Sequence, residues 1–349
     1  MTAVYQLRAE QPARIAVLGS GSWGSTSATV LADASPSTEV VLWSRRPEVA
    51  VEITSEHRNS RYLGDTRLPA NITASSDVGE VLAGAELVVL AVPAQTLRAQ
   101  LPAWRALIPA DAVVVSLMKG LEVGTDARMS EVIADELGLP AHRIAVLSGP
   151  NLAMEIAREE PTASVVACPD HGTATWIAAA CTASYFRPYT STDVIGVEIG
   201  GIVKNVIALA VGICEGRRMG DNTKASVITR GLAETTRLAV ALGGRPETMA
   251  GLAGMGDLIA TCSSALSRKH TAGSLLGQGL TLEQVTVRMN QTAEGIKSAE
   301  AVLASATKLG VDMPITASVV AVLQGRLSVD DLGPRLLARN LKPEGDPAT

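Results

Sequence analysis

The feature that most constrains this chain is the stretch "VLGSGSWGS", in which Gly19, Gly21 and Gly24 are spaced G-x-G-x-x-G. It follows the apolar run Arg14–Gly19 directly and leads straight into a helical pattern. A chain turns this tightly from strand to helix only where side chains are missing. The first glycine permits the turn, the second lets a bound group approach the backbone, and the third lets helix and strand pack closely. The helix start adds unsatisfied N–H groups and the positive end of a dipole, a setting suited to phosphate. Three glycines can also be plain turn chemistry. Their place at the first strand of a strand–helix–strand pattern favours a dinucleotide cradle.

The residues that follow extend that pattern. "RIAVLG" (Arg14–Gly19), "EVVLWS" (Glu39–Ser44), "ELVVLAVP" (Glu86–Pro93), "AVVVSLM" (Ala112–Met118) and "RIAVLSGP" (Arg143–Pro150) read as strands, too short for helices and apolar almost throughout. Helical segments such as "AQTLRAQLPAWRALI" and "DARMSEVIADELG" separate them. Alternation of this kind predicts an α/β fold, a Rossmann-like domain on a parallel, doubly wound sheet. "ASVVAC" and "FRPYTS" extend the strands to about Ser191. From about Asp193 no strand is evident. Long Ala/Leu/Val-rich helical patterns take over, one of them closing on Gly243 and Gly244 as a C-cap. The expected organisation is a disordered arm at 1–13, a dinucleotide-binding domain at 14–192, an all-α substrate and catalytic domain at 193–341, and a disordered tail at 342–349.

Composition excludes several alternatives. A net charge of −5 argues against a general nucleic-acid surface. Cys168, Cys181, Cys214 and Cys262 are scattered without a C-x-x-C pair, which reads as buried thiols in a reduced, cytoplasmic setting. The four histidines show no ligand spacing, so no metal is expected. No secretory h-region opens the chain. The longest apolar stretch, "IGGIVKNVIALAVGICEG", is interrupted by Lys204 and Asn205, so no membrane span is expected.

Where an NAD-type unit ends its second strand on an acidic residue, this chain has "LWSRRPEVA", with Arg45 21 residues after Gly24 and Arg46 beside it. An arginine cannot accept hydrogen bonds from ribose hydroxyls, but it pairs with a 2′-phosphate or stacks on adenine. The alternative is a solvated turn before Pro47. The reading is NADP.

Four further features carry chemistry. Lys119, in "SLMKGLE", follows a strand at the carboxyl edge where open α/β sheets bind ligands. Lys204 and Asn205 interrupt an apolar, small-residue helix; a lysine there either snorkels out or serves a site, where desolvation would lower its pKa toward acid–base use. Asp257, in "GLAGMGDLIATC", is a helix cap or a functional carboxylate. The tetrad Ser267–His270, "SRKH", is a surface loop or an anion site.

Taken together, "GSGSWG", "VLWSRRPE", "KGLE", "SGPNLAMEIA", "GVEIGGIVKNVIALAVG", "TRGLAE", "GLAGMGDLIATC", "LGQG", "QTAEGIKSA" and "MPIT" resemble the bacterial NAD(P)-dependent sn-glycerol-3-phosphate dehydrogenase family, from Arg14 to about Leu341. The resemblance implies NADPH-dependent reduction of dihydroxyacetone phosphate to sn-glycerol 3-phosphate, with NADH accepted as well. It implies a product that feeds glycerophospholipid synthesis, an active site between the two domains, and a homodimer as the assembly to test. Lys204 matches the acid–base lysine and Asp257 the aspartate that orients it. Lys119 matches a lysine that contacts cofactor and substrate. Gly149, Asn151 and Asn205 match substrate positions; Ser267 and Arg268 match its phosphate site, with Lys269 between Arg268 and His270. Ser22, Trp23, Arg45, Arg46, Tyr62, Ala153, Arg268 and Glu294 match cofactor positions. Two departures stand out: Lys269 and His270 replace the second half of the family's Ser-Arg-Asn-Arg, and Met154 replaces a common basic residue. They motivate an alternative, reduction of another small phosphorylated ketone. A non-catalytic dinucleotide sensor is a further alternative, opposed by the joint presence of Lys119, Lys204 and Asp257.

Overall fold

A computed structural model describes residues 10–289 and 293–338. The described residues form two compact units, one of 10–119 and 128–194, the other of 120–127, 195–289 and 293–338. The sequence reading drew a single division at 192/193; the excursion of Gly120–Ala127 into the second unit had no sequence signal.

The first unit is built on eight strands: β1 (Arg14–Leu18), β2 (Glu39–Trp43), β3 (Ile72–Ser75), β4 (Leu87–Leu90), β5 (Val113–Ser116), β6 (Ile144–Ser148), β7 (Thr162–Ala167) and β8 (Phe186–Ser191). They lie in the order β3-β2-β1-β4-β5-β6-β7-β8. β1, β4, β5 and β6 are almost wholly buried, which explains why they are apolar at successive positions rather than alternating. β1 pairs in parallel with β2 on one side and β4 on the other. The strand order therefore reverses at the carboxyl end of β1, where Gly19 begins the glycine loop.

Two features of the sheet depart from the expectation. β3 has only the residues "ITAS", too short and too small in apolar content to register as a strand before its partner β2 is in place. β7 runs antiparallel to β6, so the sheet is parallel only in the main. The link between them carries one helix, Ala153–Ile156, a single turn that cannot return the chain to the opposite edge of the sheet. The expected arm also shortens. Pro12 is buried, its carbonyl accepts the Thr38 hydroxyl at 2.8 Å, and the Glu10 carbonyl accepts the Trp176 indole N–H at 2.8 Å. Apolar contact and these bonds outweigh the entropy of residues 10–13. Residues 1–9 and the proposed tail at 342–349 lie outside the described residues.

Among the described residues the second unit has no strand. Its axis is the helix Val194–Gly216, long and apolar enough by composition to cross a membrane, yet with 83% of its most apolar stretch buried. The helix Arg268–Gly277 packs on it backbone to backbone. A Cβ on Gly212 would come 2.1 Å from the His270 carbonyl oxygen, and one on Gly273 would come 2.2 Å from that of Leu209. These glycines are absences of side chain that let two helices approach more closely than ordinary side chains allow. Nearby, the helix Asp221–Ala241 carries the fully buried Glu234. Its carboxyl group accepts the N–H groups of Ile315 and Thr316, both at 3.0 Å, and the Thr316 hydroxyl at 2.7 Å, capping the helix Pro314–Leu323.

Burial pushes the Glu234 carboxyl up to about 7, against the pull of those donors. The folded state thus holds this proton more tightly than the unfolded chain. Its contribution is fully present below pH 4.5 and is lost as pH rises toward 7. The loss amounts to ~3 kcal/mol at most. Denaturant midpoints measured across that range should fall with rising pH in the parent and stay flatter in Glu234→Gln. Equal slopes would remove Glu234 as their source.

Candidate active site

In the first unit the helix Ser22–Ala34 begins on Gly21 as its N-cap, with no acidic residue in its first turn. Its first intrahelical bond runs from the Ser25 N–H to the Gly21 carbonyl at 2.9 Å. The N–H groups of Ser22, Trp23 and Gly24 lie ahead of that bond, the usual orphan donors of a helix start. Gly19 has φ +125°, and a Cβ there would sit 2.5 Å from the Ala91 carbonyl oxygen. A Cβ on Gly24 would overlap the Gly19 carbonyl at 1.9 Å, whereas one on Gly21 would meet nothing within 4 Å. Two glycines are thus required by packing, and the third opens the loop outward. The donors, the open face and the missing acidic residues fit the diphosphate of a dinucleotide.

At the carboxyl end of β2, Arg45 is exposed and makes no hydrogen bond or ion pair among the described residues. Arg46 is turned aside. Its guanidinium donates to the Tyr62 hydroxyl at 2.9 Å and lies 5.9 Å from the centre of that ring, with Arg61 at the same distance. The Ser22 hydroxyl lies 3.5 Å from the Tyr62 carbonyl. Trp23 faces the other way: it lines a small apolar cavity with Val30, Leu87 and Phe186, and its indole N–H is buried without a partner. What Trp23 presents to the loop is its backbone.

Lys119 follows β5, and its ammonium donates to the Gly149 carbonyl, just after β6, at 3.0 Å. Gly149 has φ +143°, and a Cβ there would press on Ser164 at 3.1 Å. Asn151 stands two residues on, its amide nitrogen and oxygen both shielded from solvent and without a partner. A buried amide with both ends unsatisfied costs free energy until a ligand fills it. Ala153 accepts the Thr26 hydroxyl through its carbonyl at 3.3 Å, tying this segment to the helix after the glycine loop. Met154 packs against the apolar core of this unit. Lys119, Gly149, Asn151 and the glycine loop therefore belong to one edge of the sheet, where the carboxyl ends of its parallel strands emerge.

In the second unit Lys204 is 8% exposed and does not snorkel. Its ammonium donates to the Asp257 carboxylate and, at 2.7 Å, to the Thr261 hydroxyl. Asp257 is 1% exposed, and Thr261 lies one helical turn further along Asp257–Ser263. The carboxylate compensates the buried ammonium, whose isolation in this apolar helix would be costly. The alternative reading of Asp257 as a helix cap does not describe it, since the N-cap of its helix is Gly256. A π-helical turn, Leu252–Gly256, precedes it and aims the side chain at Lys204. The neighbouring Cys262 is pushed up to about 12 by burial, which leaves it a thiol rather than a nucleophile. The Asn205 side chain donates back to the Gly201 carbonyl at 3.3 Å.

Ser267 is the N-cap of the helix Arg268–Gly277, and its hydroxyl accepts the His270 N–H at 3.3 Å. Arg268 is exposed and Lys269 half-buried. His270 is buried with Nε2 2.9 Å from a Glu215 carboxylate oxygen, close enough for an ion pair but not aligned as a hydrogen bond. The side chain of Glu294 lies outside the described residues. No group of three potential metal ligands forms among the described residues.

Models of the NAD-dependent glycerol-3-phosphate dehydrogenase N-terminus and C-terminus match residues 14–174 and 193–333. The chain belongs to that family. It is 56% identical over 331 residues to glycerol-3-phosphate dehydrogenase [NAD(P)+] of Thermobifida fusca, covering 95% of this chain and 98% of that one. The Streptomyces griseus relative of the same name is 55% identical over 333 residues, covering 95% and 98%. Among solved structures, glycerol-3-phosphate dehydrogenase from Coxiella burnetii superposes with a TM-score of 0.88 at 36% identity, covering 93% of this chain and 99% of that chain. Against this dehydrogenase frame the sequence reading missed Thr261 and Gly200. Thr261 had a signal in its four-residue spacing from Asp257. Gly200 had none, because its partner Ala253 is distant in sequence.

Proposed function

We propose that this chain reduces dihydroxyacetone phosphate to sn-glycerol 3-phosphate, reversibly, with NADPH preferred and NADH accepted. The observation that carries the reading is the buried Lys204 ammonium held by Asp257 and Thr261. When bound, the nicotinamide dinucleotide supplies the hydride in one direction and takes it in the other. As the carbonyl carbon is reduced, its oxygen becomes an alkoxide and needs a proton. Lys204 donates that proton from Nζ and recovers it as a base in the reverse direction. Asp257 keeps the amine oriented through the cycle. Lys119 contributes a second positive charge toward the developing alkoxide, and Asn151 offers its unsatisfied amide to the substrate or the nicotinamide.

Ser267, Arg268 and Lys269 are assigned to the substrate phosphate. Two cations in the first turn of the helix Arg268–Gly277 oppose its dipole, and that turn contains no acidic residue. A phosphate dianion relieves that conflict. The reading places the enzyme in the cytoplasm, its product in glycerophospholipid synthesis, and the chain in a homodimer. Steady-state assays over a panel of phosphorylated ketones should show dihydroxyacetone phosphate turned over best. Its failure beside a relative that reacts would sink this assignment and point to Lys269 as the source of the altered choice.

Cofactor preference rests on Arg45. Arg45→Ala should raise the KM for NADPH about tenfold, the order of one charge-assisted contact, and leave that for NADH nearly unchanged. Equal effects would assign Arg45 to adenine stacking or to the solvent.

A further inference from the structure

The glycine loop is shaped from beneath by a residue outside the fingerprint. Asn59 is 0% exposed, and both hydrogens of its side-chain amide are used. One goes to the Ser20 carbonyl at 2.9 Å and the other to the Ser25 hydroxyl at 2.8 Å. The Ser25 hydroxyl in turn donates to the same Ser20 carbonyl at 3.3 Å. The peptide oxygen in the middle of Gly19–Ser20–Gly21 is thus held by two donors from one side. A trans peptide sets its N–H opposite its C=O. Holding the Ser20 oxygen toward Asn59 therefore turns the Gly21 N–H away from Asn59, in a loop open enough that a Cβ on Gly21 would meet nothing within 4 Å. That N–H has no acceptor among the described residues. The Asn59 backbone carbonyl also accepts the N–H groups of Tyr62 and Leu63, at 3.1 and 2.9 Å, joining the loop to the segment that bears Tyr62.

We propose that Asn59 is a positioning residue for the dinucleotide pyrophosphate, locking the Ser20–Gly21 peptide so that its N–H faces the phosphate. The proposal rests on the dinucleotide reading above. Neither Asn59 nor Ser25 touches the ligand; they act through the orientation of one peptide plane. Without the lock the peptide can turn, presenting a carbonyl oxygen to an anion where a donor is needed.

The test is binding, read by NADPH fluorescence and by displacement with two fragments. ADP-ribose carries the pyrophosphate; 2′-AMP keeps the adenosine end without it. Asn59→Ala should weaken NADPH, NADH and ADP-ribose by a common factor of about ten, one charge-assisted hydrogen bond's worth. The affinity for 2′-AMP should stay within about twofold, and so should kcat at saturating cofactor, on the same scale. Ser25→Ala removes one of the two donors and should shift the same three ligands in the same direction by less, which keeps the question open to test if Asn59→Ala fails to fold. Equal weakening of 2′-AMP would mean general disorder of the unit, and unchanged ADP-ribose would mean the peptide needs no lock; either overturns the inference. A parent protein that binds none of these ligands would overturn the dinucleotide reading itself.

Discussion

Replacing Lys204 with alanine is expected to lower kcat about a thousandfold, within the range lost when a general acid is removed, while NADPH affinity stays close to that of the parent. The asymmetry follows from where the residue sits. Lys204 bonds to Asp257 and Thr261 in the helical unit and takes no part in the glycine loop. The variant leaves the Asp257 carboxylate buried at 1% exposure without its cation, so some stability is lost as well. Turnover must therefore be compared at a temperature where both proteins are folded, with single-turnover rates at saturating cofactor and ketone. Fluorescence titration supplies the binding arm. Activity near that of the parent would end the acid–base assignment. Loss of NADPH binding in parallel with activity would move Lys204 from proton transfer to cofactor retention.

Gly200→Ala carries the second large effect. Gly200 lies one turn before Lys204 on the same helix, and its missing side chain lets the segment Leu252–Gly256 come against the helix backbone. An added Cβ would stand 2.5 Å from the Ala253 carbonyl oxygen, 3.1 Å from its carbon and 3.3 Å from the Gly254 Cα. These are backbone atoms and cannot swing away as a side chain would. The expected cost is about 1–3 kcal/mol of stability from overpacking. The functional cost is of similar size. The displaced segment is the π-helical turn that aims Asp257, and a shift of about 1 Å in a positioned group can cost about a hundredfold in rate. Gly220→Ala is the matched control, since a Cβ there meets nothing within 4 Å. Thermal melts and kcat for the pair check the prediction. If both variants retain parent activity, the close approach at Gly200 does not set the Lys204–Asp257 geometry.

Much of this protein was legible before any coordinates. The glycine loop, the buried strands and the change to helical texture after Ser191 are written in short-range patterns of apolar residues, glycines and caps. β3 and the reversal of β7 were not, because both depend on a neighbour: a four-residue strand becomes a strand only when β2 offers its free edge. The sequence favours Arg45 over Arg46 by its spacing from Gly24, and the two arginines of "SRRPE" also differ in space. Arg46 is engaged by Tyr62, which leaves Arg45 as the exposed cation at the end of β2. Trp23, expected among the cofactor positions, turns its ring into the core of the first unit. The motif "HRNSRYLG" drew attention to Tyr62 and hid Asn59, whose partners lie 34 and 39 residues away.

The sequence by itself determined the class of fold, the place of the phosphate cradle and the oddity of a lysine in an apolar helix. Those are consequences of chain stereochemistry, of short continuous apolar runs in the buried strands, and of a helical burial pattern that repeats every 3.6 residues. Only the tertiary structure decided what that lysine does. Its carboxylate lies 53 residues downstream, brought within bonding distance by a π-helical turn seated against Gly200. No local rule relates residues so far apart. The meeting is made by backbones approaching where side chains are absent, and a glycine's partner is visible only once the chain has folded.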